Sequence, residues 1–243
     1  MRLVMMGTGP FAAPAFEFLI RSPHEVVSLV TKPPSPRGRS RAAANPMRDI
    51  ALQRSIPILS PADVNADDAR RQVGQLGADL LVVCDYGQIL SKDCLRAARL
   101  GGINLHGSLL PKYRGAAPVN WAIYRGDTTT GVSVIHMTPQ LDGGPVLTQR
   151  STPIGERETA VELEARLAEI GVEAVNEAIE MLAGWDGQTA LGELQDRAQA
   201  TRAPRLKKQD GAVDWTRSAQ QIVNQVRAMQ PWPGAFTFWH RPD

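Results

Sequence analysis

Arg2–Thr31 reads RLVMMGTGPFAAPAFEFLIRSPHEVVSLVT, and it divides into a strand, a turn, a helix and a second strand. Arg2–Met6 is an apolar run. Gly7-Thr8-Gly9-Pro10 is a turn, and Phe11–Arg21 is a helix with Pro14 near its start, where a missing N–H does least harm. Val26–Thr31 is the second strand. A strand–helix–strand opening predicts a parallel sheet with right-handed crossovers. The alternation continues downstream. Met47–Ser55 and Ala66–Leu76 read as helices. Ile56–Leu59 is a short extended run that Pro57 and Pro61 confine to a sheet edge or a connection. Asp79–Cys84, DLLVVC, is continuously apolar, as a strand buried on both faces must be. Ser91–Arg99 is a short helix, Gly102–His106 a strand and Ala116–Tyr124 a helix. Gly131–Met137 and Val146–Ser151 are further strands.

Thr159-x-x-Glu162 is a capping box. It opens a long helix whose buried face carries Leu163, Leu167, Ile170, Ala174, Ala178 and Met181, closing near Gly184; the glutamates between them form a solvated face. The pattern predicts an α/β fold, a doubly wound, mostly parallel sheet over residues 1–185. Residues 186–203 read as a linker, with a short strand possible at Thr189–Leu191. Residues 204–243 start a second unit, in which Ser218-x-x-Gln221 caps a helix through Ile222, Val226 and Met229 and Pro231–Thr237 leads into a strand.

Composition narrows the functional classes. Charged residues make up 21% and apolar residues 43%, a balance that lets a 243-residue chain bury a core. No apolar run approaches the roughly 20 residues of a membrane span, and the N-terminal residues do not read as a signal peptide. Cys84 and Cys94 are too isolated for a disulfide framework and read as free thiols in a reducing cytoplasm. No cluster has metal-ligand spacing. The net charge is only +2, but its distribution is uneven. Lys32–Arg54 holds six Lys/Arg against the single acid Asp49, and Arg197–Arg217 is basic again. These segments read either as solvated surface or as a footprint for a polyanion.

Gly7-x-Gly9-x-x-Ala12 superficially fits a dinucleotide fingerprint. A nicotinamide enzyme needs an acid at the end of the second strand to hold the ribose hydroxyls. That position carries Thr31-Lys32, so no NAD is expected, and the glycines read as a sharp turn beside a cleft.

The chemistry concentrates in Gly102–Asn120, GINLHGSLLPKYRGAAPVN. In a strand, Asn104 and His106 point to one face. An amide beside an imidazole is a hydrogen-bonding and acid–base device, and the end of a strand is where open α/β sheets bind ligands. His24, His136 and His240 have no such company. Asp85, after the DLLVVC strand, reads as a turn or helix cap, with a second acid near the pocket as the other reading.

Asn104-x-His106-x-Ser108-Leu109-Leu110-Pro111-x-Tyr113-Arg114-Gly115, followed by Leu141-Asp142-x-Gly144, resembles the signature of the folate-dependent formyltransferases. The likeness runs from the N-terminal strand to Pro231–Thr237, nearly the whole chain. It implies a Rossmann-like formyltransferase domain over residues 1–185, a linker and an incomplete second domain, because the tRNA-acting members continue into a small β-barrel that about 40 residues cannot form.

The resemblance implies transfer of formyl from 10-formyltetrahydrofolate to an amine, with no metal. Asn104 and His106 stabilise the oxyanion, His106 also serves as acid, and Asp142 holds the imidazole and relays protons. Ser108, Leu109, Leu110 and Pro111 form a wall against the folate. Gln88, Ile89 and Leu90 cradle the pterin, largely through backbone groups, while Cys84-Asp85 departs from the small apolar pair usual there. Tyr113, Arg114 and Gly115 shape the turn into the next helix. The basic Lys32–Pro46 loop and the Pro231–Thr237 run favour methionyl-initiator tRNA as acceptor, with Arg37, Arg39, Arg41, Lys207 and Lys208 on its phosphates. The chain is then a cytoplasmic enzyme and a monomer. Sugar-nucleotide N-formyltransferases and glycinamide ribonucleotide formyltransferase share the catalytic set. A folate-binding module without turnover is the alternative outside the enzymes.

Overall fold

Seven strands form one sheet in the computed structural model, which describes residues 1–34 and 45–239. They are β1 (Arg2–Gly7), β2 (Glu25–Val30), β3 (Ile58–Leu59), β4 (Leu80–Cys84), β5 (Gly102–His106), β6 (Thr129–His136) and β7 (Val146–Pro153). Their order is β3-β2-β1-β4-β5-β6-β7. The first five run parallel, and β6 and β7 are antiparallel. The helices are α1 (Ala13–Arg21), α2 (Pro46–Gln53), α3 (Asp67–Gln75), α4 (Lys92–Leu95), α5 (Pro118–Arg125), α6 (Ala160–Ala183) and α7 (Ala219–Ala228). The sheet is the doubly wound, mostly parallel one expected, with the two-residue β3 at its edge.

The central strands are buried on both faces, so each alternates between two cores. Leu3 and Met5 of β1, with Leu80 and Val82 of β4, join the core under α1 and α6. Val4, Met6, Leu81 and Val83 join the opposite core with Val73, Leu90 and Leu95. The chain leaves β1 toward β2 and leaves β4 toward β5, so the winding direction switches between β1 and β4. Ligand crevices in open α/β sheets form at the C-terminal ends of such strands.

Thr159 caps α6 through its hydroxyl, and the Glu162 carboxylate accepts from the Thr159 N–H, completing the expected capping box. Leu163, Leu167, Ala174 and Ala178 are buried as read, while Ile170 is half-buried and Met181 lies on the exposed side.

The C-terminal part departs from the reading. Ser218 and Gln221 do form a capping box on α7, and Met229 is buried, but Val226 is 42% exposed and Ile222 only half-buried. The docked face carries Asn224, Gln225 and Arg227 instead. Gln225 Nε2 donates to the carbonyls of Asp210 and Ala212 (2.8 Å each), and Arg227 Nη1 donates to Gly155 O (2.8 Å) and Glu158 O (3.1 Å). Gln225 and Arg227 are buried there because they satisfy main-chain carbonyls, and Asn224 because its Oδ1 accepts from Gln220 and Arg227, none of which apolar periodicity registers. Pro231–Thr237, read as leading into a strand, is itself irregular apart from an isolated pairing of Phe236 with Ala212, and residues 240–243 after it lie outside the described residues; Thr189–Leu191 is likewise irregular, and the pairing there is Glu193 with Val146. No described helix is long and apolar enough to cross a membrane.

Candidate active site

A cleft of about 400 Å³ opens beyond the C-terminal ends of β4 and β5, within the size range of small-molecule sites. Asn104, His106 and Asp142 line one part of it and Gln88, Ile89 and Leu90 another. Asn104 and His106 share a face of β5 because they are two residues apart, while Ile103 and Leu105 fill the core behind. Asp142 arrives from the connection between β6 and β7. That loop is held to β5 by the Met137 N–H, which donates to Gly102 O at 2.7 Å.

His106 is 6% exposed, and its Nε2 lies 2.9 Å from Tyr113 O. A carbonyl has no proton to give, so Nε2 carries the hydrogen and donates. Nδ1 is therefore the working nitrogen, and Asp142 Oδ2 stands 3.9 Å from it. The same Oδ2 accepts from the Gly115 N–H at 2.8 Å, and Oδ1 lies 3.5 Å from Asn104 Nδ2. One carboxylate thus faces both side chains of the strand.

Asp85, Tyr113 and Asp142 all have left-handed backbones, with φ of 47°, 64° and 47°. That conformation is tolerable for aspartate and unfavourable for tyrosine. Tyr113 is held in it from both ends: its carbonyl takes the His106 hydrogen bond, and its hydroxyl donates to Asp127 Oδ2 at 2.9 Å. Burial, with the Asp127 contact added, pushes the Tyr113 hydroxyl up to about 12, so it stays protonated.

Ser108, Leu109, Leu110 and Pro111 do not line the cleft, although the sequence reading makes them a wall of it. Ser108 is fully buried, and its Oγ donates to Lys112 O at 2.7 Å. The Leu110 N–H donates to Ser133 Oγ (2.9 Å), and the Leu110 carbonyl accepts from Gln149 Nε2 (2.8 Å). These polar groups are used to fasten the loop to β6 and β7. Gly107 and Gly115–Asn120 form that side of the cleft instead. Gln88 turns its side chain away: Oε1 accepts from the Val64 N–H at 2.9 Å, and Nε2 points at the carbonyls of Pro61 and Ala62.

Two acids that the sequence reading set aside also face the cleft. Asp85, read first as a turn cap, lines it, as does Glu164, read as part of a solvated helix face. The Asp85 side chain lies against Gly9, where a Cβ would stand 1.6 Å from its carboxylate, so a larger residue there would have to push that carboxylate aside. Asp85 is solvent-accessible by area, yet the concave walls desolvate its carboxyl and raise it, with Lys32 opposing. Desolvation likewise raises Glu164, and the charge on Asp85 adds to it. Glu164 follows the buried Leu163 on the border of the apolar stripe, the one sign in the sequence that it is not fully outward. Cys84 and Cys94 are free and buried, and burial raises both thiols, Cys94 to about 11.

Among the basic residues expected on tRNA, Lys207 is exposed and Lys208 is engaged: its Nζ donates to Pro233 O at 2.8 Å and sits 4.6 Å from the centre of the Phe236 ring. Arg37, Arg39 and Arg41 lie outside the described residues. No group of three or more His, Cys, Asp or Glu suited to a metal ion occurs among the described residues.

A family model described as "Formyl transferase" matches residues 1–179, and one described as "Formyl transferase, C-terminal domain" matches residues 205–242. The methionyl-tRNA formyltransferase of Rhodopirellula baltica is 51% identical over 245 residues, covering 98% of this chain and 73% of that protein. The methionyl-tRNA formyltransferase of Solibacter usitatus is 44% identical over 238 residues, covering 98% and 76%. Among solved structures, an N-formyltransferase from Helicobacter canadensis, in complex with folinic acid and dTDP-3-aminofucose, superposes with a TM-score of 0.71 at 17% identity, covering 93% of this chain and 79% of that one. HypX from Aquifex aeolicus, in complex with tetrahydrofolic acid, gives 0.69 at 18% identity, covering 98% and 36%. At such identities the structural likeness speaks for the fold alone.

Proposed function

This chain belongs to the formyl transferase family, and we propose that it transfers the formyl group of 10-formyltetrahydrofolate to the α-amine of methionyl-initiator tRNA. The observation that carries the reading is the convergence of Asn104, His106 and Asp142 on one cleft, with the second imidazole nitrogen fixed by Tyr113 O. The identity to the relatives above, over nearly all of this chain, supports the choice of acceptor.

In this reaction the acceptor amine attacks the formyl carbon, the carbonyl oxygen becomes an oxyanion, and the folate nitrogen leaves with a proton. Asn104 Nδ2–H and a protonated His106 Nδ1 donate to that oxyanion. Asp142 balances the imidazolium and, through solvent, takes the amine's proton, while His106 passes its Nδ1 proton to the departing folate nitrogen. Fixed donors aimed where charge develops are worth about 10²–10³ in rate each. No covalent link to the protein is required. The folate is a substrate, and its pterin lies against the main chain of Gln88, Ile89 and Leu90, since the Gln88 side chain is already engaged.

Residues 1–185 form the catalytic domain on this reading, 186–203 the linker and 204–243 part of a second domain. Arg37, Arg39, Arg41 and Lys207 approach tRNA phosphates, and the enzyme works in the cytoplasm as a monomer. The test is formyl transfer from 10-formyltetrahydrofolate to methionyl-tRNA, with an amino-sugar nucleotide and glycinamide ribonucleotide as parallel acceptors. Transfer to the tRNA alone is expected. Transfer only to another amine overturns the acceptor, and folate binding without any transfer overturns the enzyme reading.

A further inference from the structure

The segment that reads as a linker is laced into the site. Glu193 and Val146 exchange main-chain hydrogen bonds at 2.8 Å in both directions. Thr201 Oγ1 accepts from the Tyr113 N–H (2.9 Å), Thr201 O from the Arg114 N–H (2.9 Å), and Arg114 O from the Ala203 N–H (2.8 Å). The fit is close enough that a Cβ on Gly115, at φ 129°, would lie 2.4 Å from Ala203 O.

Gln195 sits in the middle of this strap. Its Oε1 accepts from Arg114 Nε (3.1 Å) and Nη2 (2.7 Å), and its Nε2 donates to Asp142 O (2.8 Å) and Gly144 O (2.7 Å). One side-chain amide therefore joins two loops. The first presents Tyr113 O to His106 and the Gly115 N–H to Asp142; the second carries Asp142 itself. Only an amide offers an acceptor and two donors in one planar group. Its neighbour Leu194 is 83% exposed while Gln195 is half-buried, so the polar residue is turned inward and the apolar one outward, the reverse of ordinary surface patterning.

We propose that Gln195 is a positioning residue for the transfer reaction: by clamping Arg114 to the carbonyls of Asp142 and Gly144, it fixes the Asp142 carboxylate between Asn104, His106 and the Gly115 N–H. The inference rests on the formyl-transfer reading for its kinetic consequence and on geometry alone for its structural one. Glutamate at this position keeps the Arg114 contacts but sets a carboxylate against two carbonyl oxygens. Methionine keeps the length and loses every hydrogen bond.

The experiment compares Gln195→Met and Gln195→Glu with the wild type in two readouts. The first is steady-state formyl transfer. Both variants are expected to lose about 10–100-fold in kcat, the scale of a misplaced catalytic group, with KM for 10-formyltetrahydrofolate changed less than about threefold. The second is amide hydrogen exchange at Gly115, whose N–H bonds to Asp142; it is expected to accelerate at least about tenfold in both variants, with Tm little altered. Unchanged kcat with unchanged Gly115 exchange overturns the proposal. So does a fall in kcat matched by weaker folate binding and a lower Tm, which marks a purely structural residue. If the wild type transfers formyl to no acceptor, the functional reading fails, and Gly115 exchange still decides whether Gln195 positions Asp142. Should Gln195→Met not fold, Gln195→Glu carries both readouts.

Discussion

His106 and His136 stand on neighbouring antiparallel strands, and each donates Nε2–H to a main-chain carbonyl at 2.9 Å, Tyr113 O for one and Leu100 O for the other. The anchors are the same and the second nitrogens are not. His106 Nδ1 faces Asp142 in the cleft, whereas the His136 ring packs edge-on against Trp185, with ring centres 5.2 Å apart. Among the described residues no carboxylate comes within 4.0 Å of His136. A hydrogen bond to one nitrogen orients an imidazole; what stands opposite the other decides whether it moves protons.

That contrast is sharpest when each ring is removed. His106→Ala is expected to lower kcat by about 10²–10⁴-fold with a modest change in Tm. His136→Ala is expected to keep kcat within about threefold and to lower Tm, through lost packing on Trp185. Steady-state kinetics beside thermal melts of both variants tests this, and equal losses of kcat would break the comparison. Asn104→Ala removes one oxyanion donor on the same strand face and is expected to cost about 10²–10³ in kcat, with folate affinity retained by calorimetric titration.

Much of the fold was legible because it rests on local chemistry. The Thr159 capping box, the apolar run of β1 and the continuously apolar β4 each signal their element within a few residues. The two-residue spacing of Asn104 and His106 by itself puts both on one face of a strand. What escaped the sequence rests on contacts distant in the chain. Ser108–Pro111 is consumed by Ser133 and Gln149 on β6 and β7. The docked face of α7 is polar because it answers carbonyls elsewhere, and Asp85 and Glu164 meet the cleft from different elements. Gln195 looks like any polar linker residue until its four hydrogen bonds to Arg114, Asp142 and Gly144 are in place.

Lys207 and Lys208 repeat the histidine contrast at smaller scale. Lys208 is tied to Pro233 O and Phe236, so Lys208→Ala is expected to lower Tm. Lys207→Ala is expected to raise KM for methionyl-tRNA severalfold and to flatten the salt dependence of tRNA binding by about 0.7–0.9 in log–log slope, with Tm unchanged. Titrations from low to moderate salt measure it, and a slope identical to wild type removes Lys207 from the interface.

The smallest effect expected is at Asp85. Desolvation in the cleft raises its folded-state value above that of the unfolded chain, so the folded protein holds the proton more tightly. The ionised carboxyl therefore costs stability above the folded value, and the cost fades as pH falls through it toward the ordinary range near 3.9. Asp85→Asn is expected to raise Tm by about 1–2 °C near pH 7 and to have no effect near pH 3, in melts followed across that range. A gain that persists in acid would assign the effect to something other than ionisation.

The most direct test of the central claim is a single-turnover measurement of formyl transfer from 10-formyltetrahydrofolate to methionyl-tRNA by the wild type, His106→Ala and His136→Ala. The account predicts rapid transfer by the wild type and His136→Ala, and a rate at least about 10²-fold lower for His106→Ala with folate still bound. Transfer by His106→Ala at the wild-type rate would contradict it.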